Sequence, residues 1–121
     1  MSMRNQNMLI ANGNLDQTGL AIRADGYYGY ADGLHTVGFY LNNFIGRIYI
    51  DATLSDDPQE RDWFPIALGD LEFADYDSAT TGIETFNIVG NFVYLRAKIK
   101  RSHLGLTADL LGTCEKVVLS L

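Results

Sequence analysis

Across 46–55 the side chains alternate, with Ile48, Ile50, Ala52 and Leu54 separated by Arg47, Tyr49, Asp51 and Thr53. A period of two sends successive side chains to opposite faces of an extended chain, so this stretch predicts a strand with one buried face. Over 92–100, Val93, Leu95, Ala97 and Ile99 face one way, and Phe92, Tyr94, Arg96, Lys98 and Lys100 face the other. Val37, Phe39 and Leu41 mark a third alternating run, and Val117, Leu119 and Leu121 a fourth. Shorter runs at 8–10, 19–23, 63–68 and 85–89 complete the set, with Phe64, Ile66 and Leu68 inward in one and Phe86 and Ile88 inward in another. Pro65 lacks the N–H that a ladder needs, which places its strand at an edge or a bulge.

Turn-forming clusters separate these runs: Asn12-Gly13-Asn14, Ala24-Asp25-Gly26, Ala31-Asp32-Gly33, Ser55-Asp56-Asp57-Pro58, Gly69-Asp70, 78–82 and Gly90-Asn91. Gly90-Asn91 between two runs suits a tight hairpin turn. Two stretches fit a strand poorly. Residues 58–62 suit one helical turn, and 103–112, with Leu104, Leu106, Leu110 and Leu111, suits a short helix or an apolar loop. The pattern predicts an all-β fold: a single antiparallel β-sandwich, jelly-roll-like, of about eight short strands. Residues 1–8 are expected as a flexible N-terminal arm that pairs with a neighbour's sheet edge, and 9–121 as the sandwich domain.

Composition sharpens this reading. A chain of 121 residues that is 47% hydrophobic and 20% charged carries enough apolar surface for one packed domain. Its single cysteine, Cys114, closes no internal disulfide. No run approaches the length of a membrane span, and no signal-peptide core follows the polar start, so a soluble protein with no membrane partner is expected. With 15 acidic against 9 basic residues, the net charge of −6 disfavours sequence-independent nucleic-acid binding.

The charge is also unevenly placed. Nine of the 15 acids fall between Asp51 and Asp77, and four of the nine bases fall between Arg96 and Arg101. Asp56, Asp57, Asp75 and Asp77 are the best calcium candidates, because calcium gathers carboxylate oxygens. No EF-hand order is present, and the same residues suit solvated loops, so neither metal nor cofactor is predicted. Arg96, Lys98 and Lys100 form a cationic strip beside Phe92 and Tyr94. Tyr27, Tyr28 and Tyr30 fall within four positions and suit an interface, a sugar platform or the cover of one sandwich end, since tyrosine joins an apolar ring to a polar tip. Trp63 reads more readily as a core plug than as a ligand platform. His35 and His103 lie in no motif that sets a base against a nucleophile, and Cys114 suits a small buried role, so no catalytic residues and no enzymatic activity are expected.

A resemblance adds to this. The segments Tyr27-Tyr28-Gly29-Tyr30-Ala31-Asp32-Gly33-Leu34-His35-Thr36-Val37-Gly38-Phe39-Tyr40, Phe44-Ile45-Gly46-Arg47-Ile48-Tyr49-Ile50-Asp51-Ala52-Thr53-Leu54-Ser55, Trp63-Phe64-Pro65-Ile66 and Asn87-Ile88-Val89-Gly90-Asn91-Phe92-Val93-Tyr94-Leu95-Arg96-Ala97, with the closing Lys116-Val117-Val118-Leu119, resemble small virion structural proteins of tailed bacteriophages, particularly those of marine cyanobacteria. It implies a capsid decoration, neck, tail or baseplate component, assembled in the host cytoplasm and carried in the virion. Its partners would be other virion proteins and copies of itself. The interface residues are then Tyr27, Tyr28, Tyr30, Phe92 and Tyr94, oriented by Arg96, Lys98 and Lys100. The alternative is a carbohydrate-binding or host-recognition module in which Trp63 and the tyrosines stack on sugar rings.

Overall fold

The computed structural model describes residues 5–9, 16–24, 33–107 and 110–120. Eight strands form one antiparallel sheet: β1 (Asn5–Leu9), β2 (Asp16–Thr18), β3 (Ile22–Arg23), β4 (Leu34–Thr53), β5 (Phe64–Pro65), β6 (Ala74–Val89), β7 (Tyr94–Lys100) and β8 (Thr113–Ser120). The all-β prediction holds. Among the described residues the strands form a single sheet that curls into a half-barrel.

β4 is the spine. Along one side it pairs with β6 over Leu34–Ile48 and with β5 at Asp51 and Ala52. Along the other it pairs with β8 over Thr36–Asn42 and then with β7 over Arg47–Thr53. β7 and β8 are thus two lengths of one line, and β2 and β3 on β7, with β1 on β8, form the line beyond it.

The two alternating runs read as separate strands, 36–41 and 46–55, are one 20-residue strand interrupted by a bulge. Leu41 opposes Gly82 and Phe44 opposes Thr80, so Asn42 and Asn43 together face only Thr81. One extra residue reverses the parity of a strand. The buried set accordingly passes from Val37, Phe39 and Leu41 to Phe44, Ile48, Ile50 and Ala52. Asn43 takes φ +54, a left-handed conformation that asparagine tolerates better than most residues, and its N–H donates to Thr81 Oγ1 at 3.0 Å.

This bulge sits where β4 bends. Gly90 N–H donates to Gly33 O and Val93 N–H to Thr53 O, each at 2.9 Å, so residues 90–93 bridge the two ends of β4. Four residues reach about 14 Å, whereas a straight 20-residue strand spans about 66 Å. The halves of β4 therefore face each other across the core. Leu95, Ala97 and Ile99 of β7, with Val117 and Leu119 of β8, fill the space between them as the alternation predicted, and Cys114 joins them. The expected hairpin at Gly90-Asn91 is instead this crossing, since β6 and β7 flank β4 on opposite sides.

Two further expectations change. Residues 78–82, read as a turn, belong to the 16-residue β6, because the ladder of β4 overrides their loop composition. The irregularity survives as a bulge at 77–79, where three residues of β6 face Ile45 alone. The N-terminal segment joins the sheet from Asn5, pairing with β8 instead of forming an arm throughout 1–8. The helical turn expected in 58–62 appears as a 3-10 turn, Glu60–Asp62; Ser102–Leu104 is another, and beyond it Leu111 is buried while Leu106 and Leu110 are exposed. Among the described residues no helix is long and apolar enough to cross a membrane.

Asp16 on β2 holds the exit of β7. Its Oδ1 accepts the N–H groups of Arg101 and Ser102 at 2.9 and 3.0 Å, and its Oδ2 accepts the Ser102 hydroxyl at 2.7 Å. The Arg101 N–H and the Ser102 hydroxyl hold the carboxyl below its ordinary 3.8. A depressed carboxyl contributes stability above its unfolded value and loses it as pH falls through the folded one. Asp16→Asn is expected to lower the melting temperature at neutral pH and to flatten its decline below about pH 4, since a neutral amide with one oxygen replaces a carboxylate that accepts through both. Equal acid slopes for the two proteins would remove Asp16 from the acid response.

Candidate functional site

The most structured polar region lies on the outer face shared by β4 and β7. Cross-strand register opposes Arg47 to Lys100, Tyr49 to Lys98 and Asp51 to Arg96, all pointing away from the core. The loop after β4 then folds back over this face. Within it Gln59 N–H donates to Asp62 Oδ2 at 2.8 Å, fixing the 3-10 turn that presents Glu60, and Trp63 follows.

These pieces meet at Arg96, which is 8% exposed. Its Nε lies 3.4 Å from Asp51 Oδ2, and Nη1 and Nη2 reach Glu60 Oε1 and Oε2 at 3.1 and 3.3 Å. The guanidinium carbon stands 4.2 Å from the centre of the Trp63 ring. A planar fork that engages carboxylate oxygens and also stacks on an indole is a role lysine cannot fill. The Arg96 hydrogen bonds draw the Glu60 carboxyl below its ordinary 4.5. Arg96, Asp51 and Glu60 form part of the wall of a cleft of about 290 Å³, completed by Tyr49, Trp63, Pro65, Lys98 and Lys100. Farther along, Arg47 caps the Phe73 ring at 4.6 Å and sits 3.7 Å from Asp75.

The structure therefore divides the expected cationic strip. Arg96, Lys98 and Lys100 all line the cleft, but Arg96 is paired there with Asp51 and Glu60. Phe92 is separate from the strip: it precedes β7, packs on the core and meets Phe64 edge-on at 6.0 Å. Tyr94, half-buried, opposes Thr53 and Arg23 at the start of β7. Tyr27, Tyr28 and Tyr30 lie outside the described residues. Trp63 is not a core plug; it is half-buried on the outer face, because Phe64 and Pro65 pair with β4 and leave it over Arg96.

The calcium candidates remain apart. Asp56 and Asp57 are exposed on the loop after β4, Asp75 faces Arg47, and Asp77 lies in the β6 bulge. Among the described residues no three His, Cys, Asp or Glu side chains come together as a metal site. His35 is fully buried on β4, and His103 is exposed on the second 3-10 turn. Burial pushes the Cys114 thiol up to about 12, so it is protonated at neutral pH.

Glu60 and Arg101 were read only as members of the acidic and basic clusters, and the structure gives each a specific place. Arg101 is fully buried at the bend of β4, its guanidinium 5.0 Å from the Phe44 ring and its Nη1 donating to Leu111 O and Gly112 O at 3.0 and 2.8 Å. The legible signal was Gly46, which interrupts the inward set of Phe44, Ile48 and Ile50 where the Arg101 side chain passes. Comparison with protein-family models, curated proteins and solved structures finds no match.

Proposed function

We propose that this chain is a non-enzymatic structural component of a tailed-phage particle, a capsid decoration, neck, tail or baseplate accessory protein that acts by docking against other virion proteins. The resemblance of segments 27–40, 44–55, 63–66, 87–97 and 116–119 to such proteins supports this reading. The observation that carries it is the outer edge of β6: a 16-residue strand that, among the described residues, pairs with β4 alone and leaves residues 81–85 exposed. A strand edge presents a row of unpaired N–H and C=O groups, a template for a further chain. Particles purified from the parent phage should contain the protein in fixed ratio to the major capsid or tail protein by quantitative mass spectrometry. Its absence from washed particles sinks the reading.

A second reading, a carbohydrate-binding host-recognition module, is favoured by the cleft beside Trp63. Tyr49 and Trp63 offer aromatic surface, and Lys98 and Lys100 offer donors for hydroxyl or carboxylate groups. Trp63→Ala is expected to cost only about 1–2 kcal/mol, since the ring is half-buried and its main polar contact is the Arg96 cation–π pair. A folded Trp63→Ala protein is therefore attainable. Glycan-array signals that vanish in it would favour this reading, and a blank array for the parent protein would remove it.

A further inference from the structure

We propose that the open edge of β6 is occupied by the β6 of a second copy, in antiparallel pairing about a two-fold axis at Ile83. This inference rests on the docking reading and names the partner. The usable edge is bounded on both sides. Toward the start of the strand, the bulge at 77–79 breaks the ladder before Thr80. Toward its end, residues 64–67 and Phe92 gather around Asn87, Ile88 and Val89. Between these limits residues 80–86 pair with β4 on one side, and residues 81–85 are exposed.

Natural sheets protect such edges with charged side chains, lysine above all, or with proline, bulges or a covering loop. β6 contains no lysine, arginine or proline, and its bulge lies outside this segment. Within it stands Ile83, 60% exposed, between Thr81 and Thr85 on the outer face. An isolated apolar residue needs no explanation, but one flanked by β-formers on an edge that, among the described residues, has no second partner and carries Glu84 as its one charge is placed for burial by a neighbouring strand.

Symmetry and charge select the partner and the register. A two-fold pairing of identical strands sets residue i against residue j and j against i. Centred on Glu84 it would oppose two carboxylates, which destabilises a ladder. Centred on Thr85 it would set Ile83 against Asn87. Centred on Ile83 it places isoleucine against isoleucine, Thr81 against Thr85 twice, and Glu84 against Gly82, which has no side chain to crowd it. Apolar pairs and threonine pairs both stabilise antiparallel neighbours. The Gly82 side is also open, with nothing within 4 Å of where a Cβ would stand. Centred on Ile83, this edge is thus complementary to itself.

The test uses the full chain. Ile83→Cys puts two thiols directly opposite each other, at a spacing that a disulfide bridges, whereas Thr85→Cys leaves its pair four residues out of register, about 13 Å apart. The buried Cys114 stays out of the reaction. Mild oxidation is expected to convert Ile83→Cys to a covalent dimer and to leave Thr85→Cys monomeric. In sedimentation across a concentration series the parent protein should approach twice 13.4 kDa, and Ile83→Lys should remain at 13.4 kDa with an unchanged circular-dichroism spectrum. A parent protein that stays monomeric throughout, or equal cross-linking of the two cysteine variants, overturns the proposal. If the protein is nonetheless found in purified particles, the virion reading stands with another chain at the edge. If the dimer forms and particles lack the protein, the virion reading falls and the pairing remains.

Discussion

Arg101→Ala is expected to lower the unfolding free energy by about 3–5 kcal/mol, combining the loss of a fully buried long side chain with backbone carbonyls left short of a donor. The residue sits where the half-barrel turns its corner. It donates to the carbonyls of Leu111 and Gly112, and Leu111 O also accepts the N–H of Ile45 beside the β4 bend. One side chain therefore ties the excursion between β7 and β8 to the spine. Arg101→Met keeps most of the packing and sheds the buried charge, so it should recover at least half of the loss. Urea unfolding of the three proteins measures this. A loss below about 0.5 kcal/mol for the alanine variant, the range of ordinary surface changes, would make Arg101 incidental.

Gly46 supplies an internal check. A Cβ at this position would approach Arg101 Cγ to 2.3 Å, and the residue has φ +143. Gly46→Ala therefore faces both backbone strain and a clash, each about 1–3 kcal/mol. In the Arg101→Ala background only the strain remains. The two substitutions should cost less together than the sum of their separate losses, and strict additivity would mean that Arg101 does not occupy this space.

How far the sequence disclosed these features depends on which force sets each one. The inward faces of β7 and β8 were legible because burial of alternate residues is a local, periodic requirement, met by Leu95, Ala97, Ile99, Val117 and Leu119. The union of two runs into β4 was not, because a bulge conserves hydrophobic patterning on each side while reversing its phase, and a phase change looks the same as a turn. Asn42-Asn43 gave no way to choose, since asparagine suits both. β6 was hidden for another reason. Residues 77–85 are exposed almost throughout, so no burial pattern marks them, and only the ladder of β4 shows that they are extended. At the site, Lys98 and Lys100 were legible as outward cations. The separation of Arg96 from them was not, because its partners Glu60 and Trp63 come from a loop 33–36 residues away whose path only the folded chain defines.

Arg96→Met is expected to cost about 3–5 kcal/mol, because it leaves the buried Asp51 carboxylate without its cation. The two acids around Arg96 should respond differently. Asp51 has a side chain only 9% exposed and cannot regain water, whereas Glu60, with a side chain 87% exposed, returns to solvent once the guanidinium is gone. Most of the loss therefore belongs to Asp51. Asp51→Val added to Arg96→Met removes the stranded charge and places a β-branched residue in a strand, so the double variant should come within about 1 kcal/mol of the parent, or exceed it. Glu60 reports the same event through titration. With Arg96 present its carboxyl lies below 4.5, and in Arg96→Met it should rise toward that ordinary value in a carbon-detected titration. A carboxyl lowered in the folded state stabilises above its unfolded value and ceases to do so as pH falls through the folded one, so the variant should also lose part of the parent's acid sensitivity. A double variant as unstable as Arg96→Met alone would show that Arg96 acts through its packing against Trp63, and the ion cluster would then be a consequence of that stack.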